Sequence, residues 1–449
     1  MSTVLSIISL AQAGNGQDAL RSTEILVILL TITLVVSLLA RRLRLPYTLV
    51  LVLVGLGIGF SPLANGVILN PDLVLFLFLP ALLFEGAWST DARQLVANWL
   101  PIFLLAVPGL LIALALLMVV LHLGIGLPWM LAALAAAIVS PTDPIAALAL
   151  LKRLGLSERL RIIIEGESLF NDGVGVAVFE VVRQLLLPSL GLATVSIAFQ
   201  GVSLLQLNLQ VLWLLIGGPL LGIATGWICS RFLRLVDDHL FETVLTLCVA
   251  YAAYLCGTLL HTSGLLAVVC AGLVMGSYGK DLGMSQRSQE AAEDVWEFIG
   301  YLANSLLFLL LGIQIGASNF LQAVPGILWA VLGVLAGRAV IVYTLMPLQD
   351  LLARRLANRA RWWAWLPRPR PLSAAWRPVL TLTGLRGALS IALVLSLPDK
   401  FSQRNLLESI VYGVVLVTLL GQGLGLRFLL PHWSGDQTNE SEIQESEAH

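Results

Sequence analysis

Long apolar stretches separated by short polar or glycine- and proline-rich intervals recur along the whole chain. Thirteen can be delimited, at about residues 25–40, 47–63, 72–88, 98–123, 127–153, 159–185, 208–233, 240–260, 263–278, 296–316, 325–347, 378–398 and 404–430. The first is short. Each of the others can cross a hydrocarbon core of about 30 Å, straight, tilted or re-entrant. The pattern predicts an all-α polytopic membrane protein with about 13 transmembrane helices. It divides into an N-terminal extracytoplasmic segment (1–24), a transmembrane domain (25–430) and a short acidic cytoplasmic tail (431–449). Met1–Ala13 is too short to span. It ends in Ala11-Gln12-Ala13 but has no basic start, so a cleaved signal is not favoured. After Ser434 the tail is polar and acidic, which predicts disorder.

Composition agrees with the pattern. The chain is 58% hydrophobic and 12% charged, outside the range of soluble domains. A net charge of −1 gives no support for nucleic-acid binding. Cys229, Cys248, Cys256 and Cys270 lie in apolar segments without CxxC spacing and read as small buried hydrophobes. The five histidines form no HExxH pattern, which argues against a zinc enzyme.

Charge also orients the chain. With the N-terminus outside, twenty of the 26 lysines and arginines fall on the cytoplasmic side. Arg21, Arg183, Lys400 and Arg404 fall outside, and Arg338 and Arg386 fall within spans. This split follows the positive-inside rule and predicts an N-out, C-in topology. Residues 353–377 combine seven arginines with Trp362, Trp363, Trp365 and Trp376. They read as a cytoplasmic loop resting on anionic headgroups, with a regulatory partner site as the alternative.

Leu160–Phe179 stands out among the spans. It is apolar enough for a bilayer, yet its middle carries Glu165, Glu167, Ser168, Asn171 and Asp172. On a helix, Ser168 and Asp172 share one stripe and Glu167 and Asn171 the next. A carboxylate at the bilayer centre costs roughly 2.5–3.5 kcal/mol, so such groups face a cavity or a partner.

Other spans carry ionisable groups at similar depth. Asp143 sits within Ser140-Pro141-Thr142-Asp143-Pro144, where the two prolines should break the helix. Gly384-Leu385-Arg386-Gly387 interrupts span twelve, and Glu85 and Arg338 lie in spans three and eleven. If spans 1–6 and 8–13 are inverted repeats, the two interrupted helices correspond, which is the best sequence pointer to a transporter's ion site. Left unpaired, Glu85, Asp143, Glu167, Asp172 and the two arginines would cost roughly 15–20 kcal/mol. Pairing two acids with the arginines leaves two over, a cation site that can alternatively take protons. Glu165, Glu180 and Glu242 read as packing or near-interface residues.

Together these residues resemble the monovalent cation/proton antiporter family, in particular its electroneutral, NhaP-like sodium/proton branch. The resemblance covers about residues 25–430 and rests on Thr142-Asp143-Pro144, the ESLFND run at 167–172 and Gly-Leu-Arg-Gly at 384–387, in that order. It implies thirteen helices, two crossing broken helices, a homodimer, and a core that moves against a dimerisation domain in alternating access. It implies that Asp172 is the essential ion- and proton-binding carboxylate, with Asp143, Thr142 and Ser168 as sodium-coordinating neighbours. Glu167 would pair with Arg338 as a structural bridge. Asn171 before Asp172 resembles the branch exchanging one cation for one proton. Glu85 occupies a span where some members carry an acidic ligand.

The residues support the same chemistry independently. Burial and the nearby Asp143 both disfavour an ionised Asp172, so that a proton or a cation can neutralise it, but poorly both. Oxygen ligands suit a hard cation such as Na⁺ or Li⁺. Arg386, between half-helix ends, would offset exposed carbonyl charge. The expected substrates are Na⁺ or Li⁺ and H⁺, with no resident cofactor and no enzymatic activity. The expected partners are the bilayer, that of the plasma membrane, and a second copy of the chain. Alternatives are a potassium/proton antiporter of the same fold, or a channel or anion transporter using the arginines. An intramembrane hydrolase with Ser168 as nucleophile lacks a histidine or lysine in span six to activate it.

Overall fold

A computed structural model of the chain describes residues 16–43, 46–61, 71–143, 148, 157–186, 204–235, 238–318, 323–358, 367, 369–398 and 400–429. The expectations for Met1–Ala13, for the acidic tail, for most of the second half of span five and for residues 359–366 lie outside the described residues. The helices are α1 (Gly16–Leu43), α2 (Tyr47–Gly59), α3 (Pro71–Ser89), α4 (Ala92–Ala97) and α5 (Trp99–Ile125). They continue as α6 (Trp129–Val139), α7 (Glu158–Leu186), α8 (Leu204–Phe232), α9 (His239–Leu259) and α10 (Gly264–Gly283). The last are α11 (Gln286–Ala317), α12 (Val324–Asn358), α13 (Trp376–Leu382), α14 (Ala388–Leu395) and α15 (Arg404–Leu429). The described residues contain no strand.

The expected spans fall on these helices, with α6 as the described part of span five and α13 and α14 sharing span twelve. Eight helices among the described residues are long and apolar enough to cross a membrane, and α2, α6 and the apolar part of α1 are shorter. α7 has the length but carries the polar insert. It packs among α5, α6, α10 and α14, so its polar groups meet protein rather than lipid.

Both interruptions follow from local sequence. α6 stops at Val139, because Pro141 has no N–H and its ring would clash with the preceding turn. α13 stops at Leu382, Thr383–Gly387 leave helical geometry, and α14 restarts at Ala388. The backbone amide of Asp143 donates to the carbonyl of Leu385 at 2.8 Å, so the two unwound segments meet.

Three long helices are less regular than a plain apolar run suggests. α3, α5 and α10 contain wide π turns at Val74–Phe78, Leu105–Gly109 and Met275–Gly279. In the first two, Pro80 and Pro108 oppose the carbonyls of Phe76 and Leu104, and a wider turn relieves that clash. α2 and α11 meet almost backbone to backbone. Gly55 and Gly59 face Gly312 and Gly316, and a Cβ at any of the four would run into the partner's main chain. This is close packing through small residues, as membrane helix pairs use.

On the side expected to be cytoplasmic, the described part of the arginine- and tryptophan-rich segment is tied to protein. Arg159, in the first turn of α7, donates to the carbonyls of Pro371 and Arg370, both at 2.9 Å, and lies over the ring of Trp376. Gln349 and Asp350 of α12 hold Arg370 and Leu372. At the start of α9, Asp238 accepts from the amides of Phe241 and Leu240, which hold its carboxyl below the ordinary aspartate range.

Candidate functional site

α7 presents two polar stripes in two directions. Glu165, Ser168 and Asp172, spaced i, i+3, i+7, line a cavity of about 310 Å³ together with Glu85 of α3, Thr142 and Asp143 of the first interruption, and Gly387 at the head of α14. Glu167 and Asn171 face a cavity of about 10 Å³ shared with Ser140, Thr142, Arg338 and Arg386. The structure thus brings Asp172, Asp143, Thr142, Ser168 and Glu85 to one cavity. Asn171 lies on the neighbouring stripe and lines the smaller cavity.

The first interruption is held in place by α7. Ser168 Oγ donates to the carbonyl of Thr142 at 2.7 Å, and Asn171 Nδ2 donates to Thr142 Oγ1 at 3.1 Å. Asp172 makes no hydrogen bond or ion pair among the described residues. A Cβ on Gly387 would overlap the Asp143 side chain, so only glycine there lets that carboxylate rest against the start of α14. Free amides and the positive end of the helix dipole favour a negative charge at that point.

Both arginines are engaged outside the cavity, Arg338 through all three guanidinium nitrogens and Arg386 through Nη1. Arg338 forms a two-pronged ion pair with Glu167, one contact at 2.8 Å, with side-chain exposures of 5% and 2%. Its Nε also donates to the carbonyl of Leu380, near the end of α13, at 2.8 Å. Arg386 donates from Nη1 to the carbonyls of Ser140 and, at 3.0 Å, Pro141, at the end of α6. Each half-helix therefore has a guanidinium at its negative end, where free carbonyls need a donor. Sequence reasoning assigned this task to Arg386 and saw in Arg338 only the partner of Glu167.

Four polar cavity residues escaped sequence reasoning: Glu165, Asn304, and Ser89 and Thr90 at the end of α3. Glu165 was expected near the interface or in packing. Its i, i+3, i+7 relation to Ser168 and Asp172 was the available signal for the position it takes on the cavity. Asn304 of α11 also lines the cavity, and nothing in its sequence surroundings marks it. Glu180 pairs with Arg183 and Gln184, and neither it nor Glu242 reaches the cavity. The cavity's donors are carboxylate, hydroxyl, amide and main-chain oxygens, a set suited to a hard cation and free of the soft ligands a transition metal selects.

Interrupted helices crossing at an oxygen-lined cavity inside an apolar bundle define an integral membrane protein built like a secondary transporter. Residues 26–432 match the transmembrane sodium/hydrogen exchanger family, and the chain belongs to it. It is 36% identical to the low-affinity Na⁺/H⁺ antiporter NhaS1 of Synechocystis sp., over 94% of this chain and 77% of that protein. It is 31% identical to the Na⁺/H⁺ antiporter NhaH of Halobacillus dabanensis, over 90% of this chain and 96% of that protein. Its fold is similar to that of the sodium proton antiporter MjNhaP1 from Methanocaldococcus jannaschii, with a TM-score of 0.69 at 19% identity, covering 93% of this chain and 99% of the other.

Proposed function

We propose that this protein exchanges sodium or lithium for protons across the plasma membrane, one cation for one proton, by alternating access. The observation that carries the reading is the single cavity shared by Asp172, Asp143, Thr142, Ser168 and Glu85. The names of the relatives, sodium/proton antiporters over nearly the whole chain, point the same way.

Asp172 is the exchanging carboxylate. It has no fixed counter-charge among the described residues, so its charge is answered either by a bound proton or by a bound cation. Asp143, Ser168 and Thr142 complete the coordination of the cation, and Glu85 contributes from α3. Asn171 acts indirectly, by holding the Thr142 side chain. Glu167 keeps a constant charge through the cycle because Arg338 clamps it. The sodium and the proton are substrates, and the cycle needs no cofactor. The chain crosses the membrane thirteen times, N-terminus outside, and works as a homodimer.

Engagement of both arginines argues against an anion carrier that would need them as ligands. A potassium/proton antiporter of the same fold is separated by experiment. Purified protein in liposomes with a pH dye in the lumen should show lumenal alkalinisation when Na⁺ or Li⁺ is added outside. An equal response to K⁺ would move the reading to potassium. Absence of any cation response would overturn exchange.

A further inference from the structure

We propose that Asn304 of α11 is a further ligand of the transported cation, supplying a neutral amide oxygen. This rests on the antiporter reading above. Gly300, Asn304 and Leu307 lie along one stripe of α11, at spacings of four and three. At Gly300 an added Cβ would sit 3.0–3.2 Å from Cγ, Cδ and Oε2 of Glu85, so the Glu85 side chain lies against α11 at that glycine. Asn304 is one turn further along and lines the same cavity as Glu85, Asp143 and Asp172, as does Leu307. The residue is only 8% exposed, and its Oδ1 has no hydrogen-bond partner among the described residues.

A buried amide oxygen without a partner is unfavourable. Packing alone would be served by another leucine, as at position 307. The cavity supplies what the amide lacks. A cation held by carboxylates gains a ligand from Asn304 without gaining a charge, so the one-for-one balance is untouched. An amide does not take up a proton in the working pH range of a carboxylate, so its contribution falls on the cation and not on the competing proton. That asymmetry separates a ligand from a residue that merely positions Glu85 or Asp172 by donating from Nδ2.

The test is sodium titration of reconstituted exchange at several pH values, with Asn304→Leu and Asn304→Ser. Loss of one oxygen ligand should raise the half-saturating Na⁺ concentration about tenfold in Asn304→Leu, with a smaller rise in Asn304→Ser, which keeps a shorter oxygen. The pH midpoint of exchange at saturating Na⁺ should not move. A half-saturating Na⁺ within about twofold of wild type, or a displaced pH midpoint at unaltered sodium affinity, overturns the assignment. If Asn304→Leu does not fold, the serine variant carries the same two readouts. Sodium-induced thermal stabilisation is measured alongside and should be weakened in both variants. If wild type drives no sodium-dependent proton flux, the antiporter reading fails. The thermal shift then still decides whether Asn304 binds the ion.

Discussion

The amide of Asp143 donates to the carbonyl of Leu385 where both interrupted helices have left helical geometry. This bond and the fit of the Asp143 side chain against Gly387 make the crossing a single assembly, with the carboxylate at the head of α14. Gly387→Ala should therefore displace the Asp143 carboxylate by direct overlap, while leaving every ligand's chemistry unchanged. The added methyl overpacks the crossing by about 1–3 kcal/mol. The expected outcome is a lower thermal midpoint together with a sodium affinity reduced more than that of a control such as Gly421→Ala, where a Cβ meets open space. Wild-type sodium affinity in Gly387→Ala would show that Asp143 does not depend on this fit.

Asp172→Asn should abolish exchange while leaving the protein folded. The amide is nearly the same size, and no hydrogen bond or ion pair among the described residues is lost. It can no longer be neutralised by either competing ion. Retained cation-dependent proton flux from the purified variant in liposomes would remove Asp172 from the exchanging role.

The Glu167–Arg338 pair is buried on both sides, and removing one member leaves an uncompensated charge, typically at about 3–5 kcal/mol. Glu167→Ala and Arg338→Ala should each lower thermal stability more than they lower ion affinity, and the double variant should recover part of the loss. Recovery should be incomplete, because Arg338 also answers the carbonyl of Leu380. Simple addition of the two effects in a thermal-shift cycle would mean that the pair is not coupled.

The route of the spans was legible in the apolar pattern, and so were the two stripes of α7, because a four-residue spacing on a helix leaves no freedom about which residues share a face. Pro141 likewise announced where α6 ends. The direction of each stripe was not legible. Ser168 and Asp172 turn to the large cavity and Asn171 to Thr142 only because α6 crosses where it does, a fact of tertiary packing. Glu165 was misplaced for the same reason: its spacing was visible, but not the side its stripe would meet. The α2–α11 contact shows the same limit, since Gly55, Gly59, Gly312 and Gly316 mark surfaces for close approach but do not name each other as partners.

The charge balance of transport is testable on the same material. With Glu167 clamped and Asn171 turned from the cavity, Asp172 is the carboxylate expected to trade its proton for a cation. A one-for-one cycle carries no net charge. A membrane potential should then move neither ion, although an electrogenic cycle would gain about 2.3 kcal/mol per charge from 100 mV. The measurement is a potassium–valinomycin potential imposed on proteoliposomes with balanced sodium and pH. Potential-driven sodium or proton movement would show that Asp143, Glu85 or Glu165 also cycles a proton.

The wide turn at Val74–Phe78 has a consequence for Glu85, which follows it in α3. The wide turn takes up one residue more than an α turn, so every later side chain sits about 100° behind the bearing an unbroken α-helix of the same sequence would give it. With the first turns of α3 held in place, tightening that turn to α geometry would carry Glu85 to the azimuth now held by Gly86. Phe84, whose ring is fully buried and lies 4.5 Å from that of Trp296, would take the azimuth of Glu85. The compass bearing of an acidic group is thus governed by the winding of a stretch, VLFLF, that bears no charge at all.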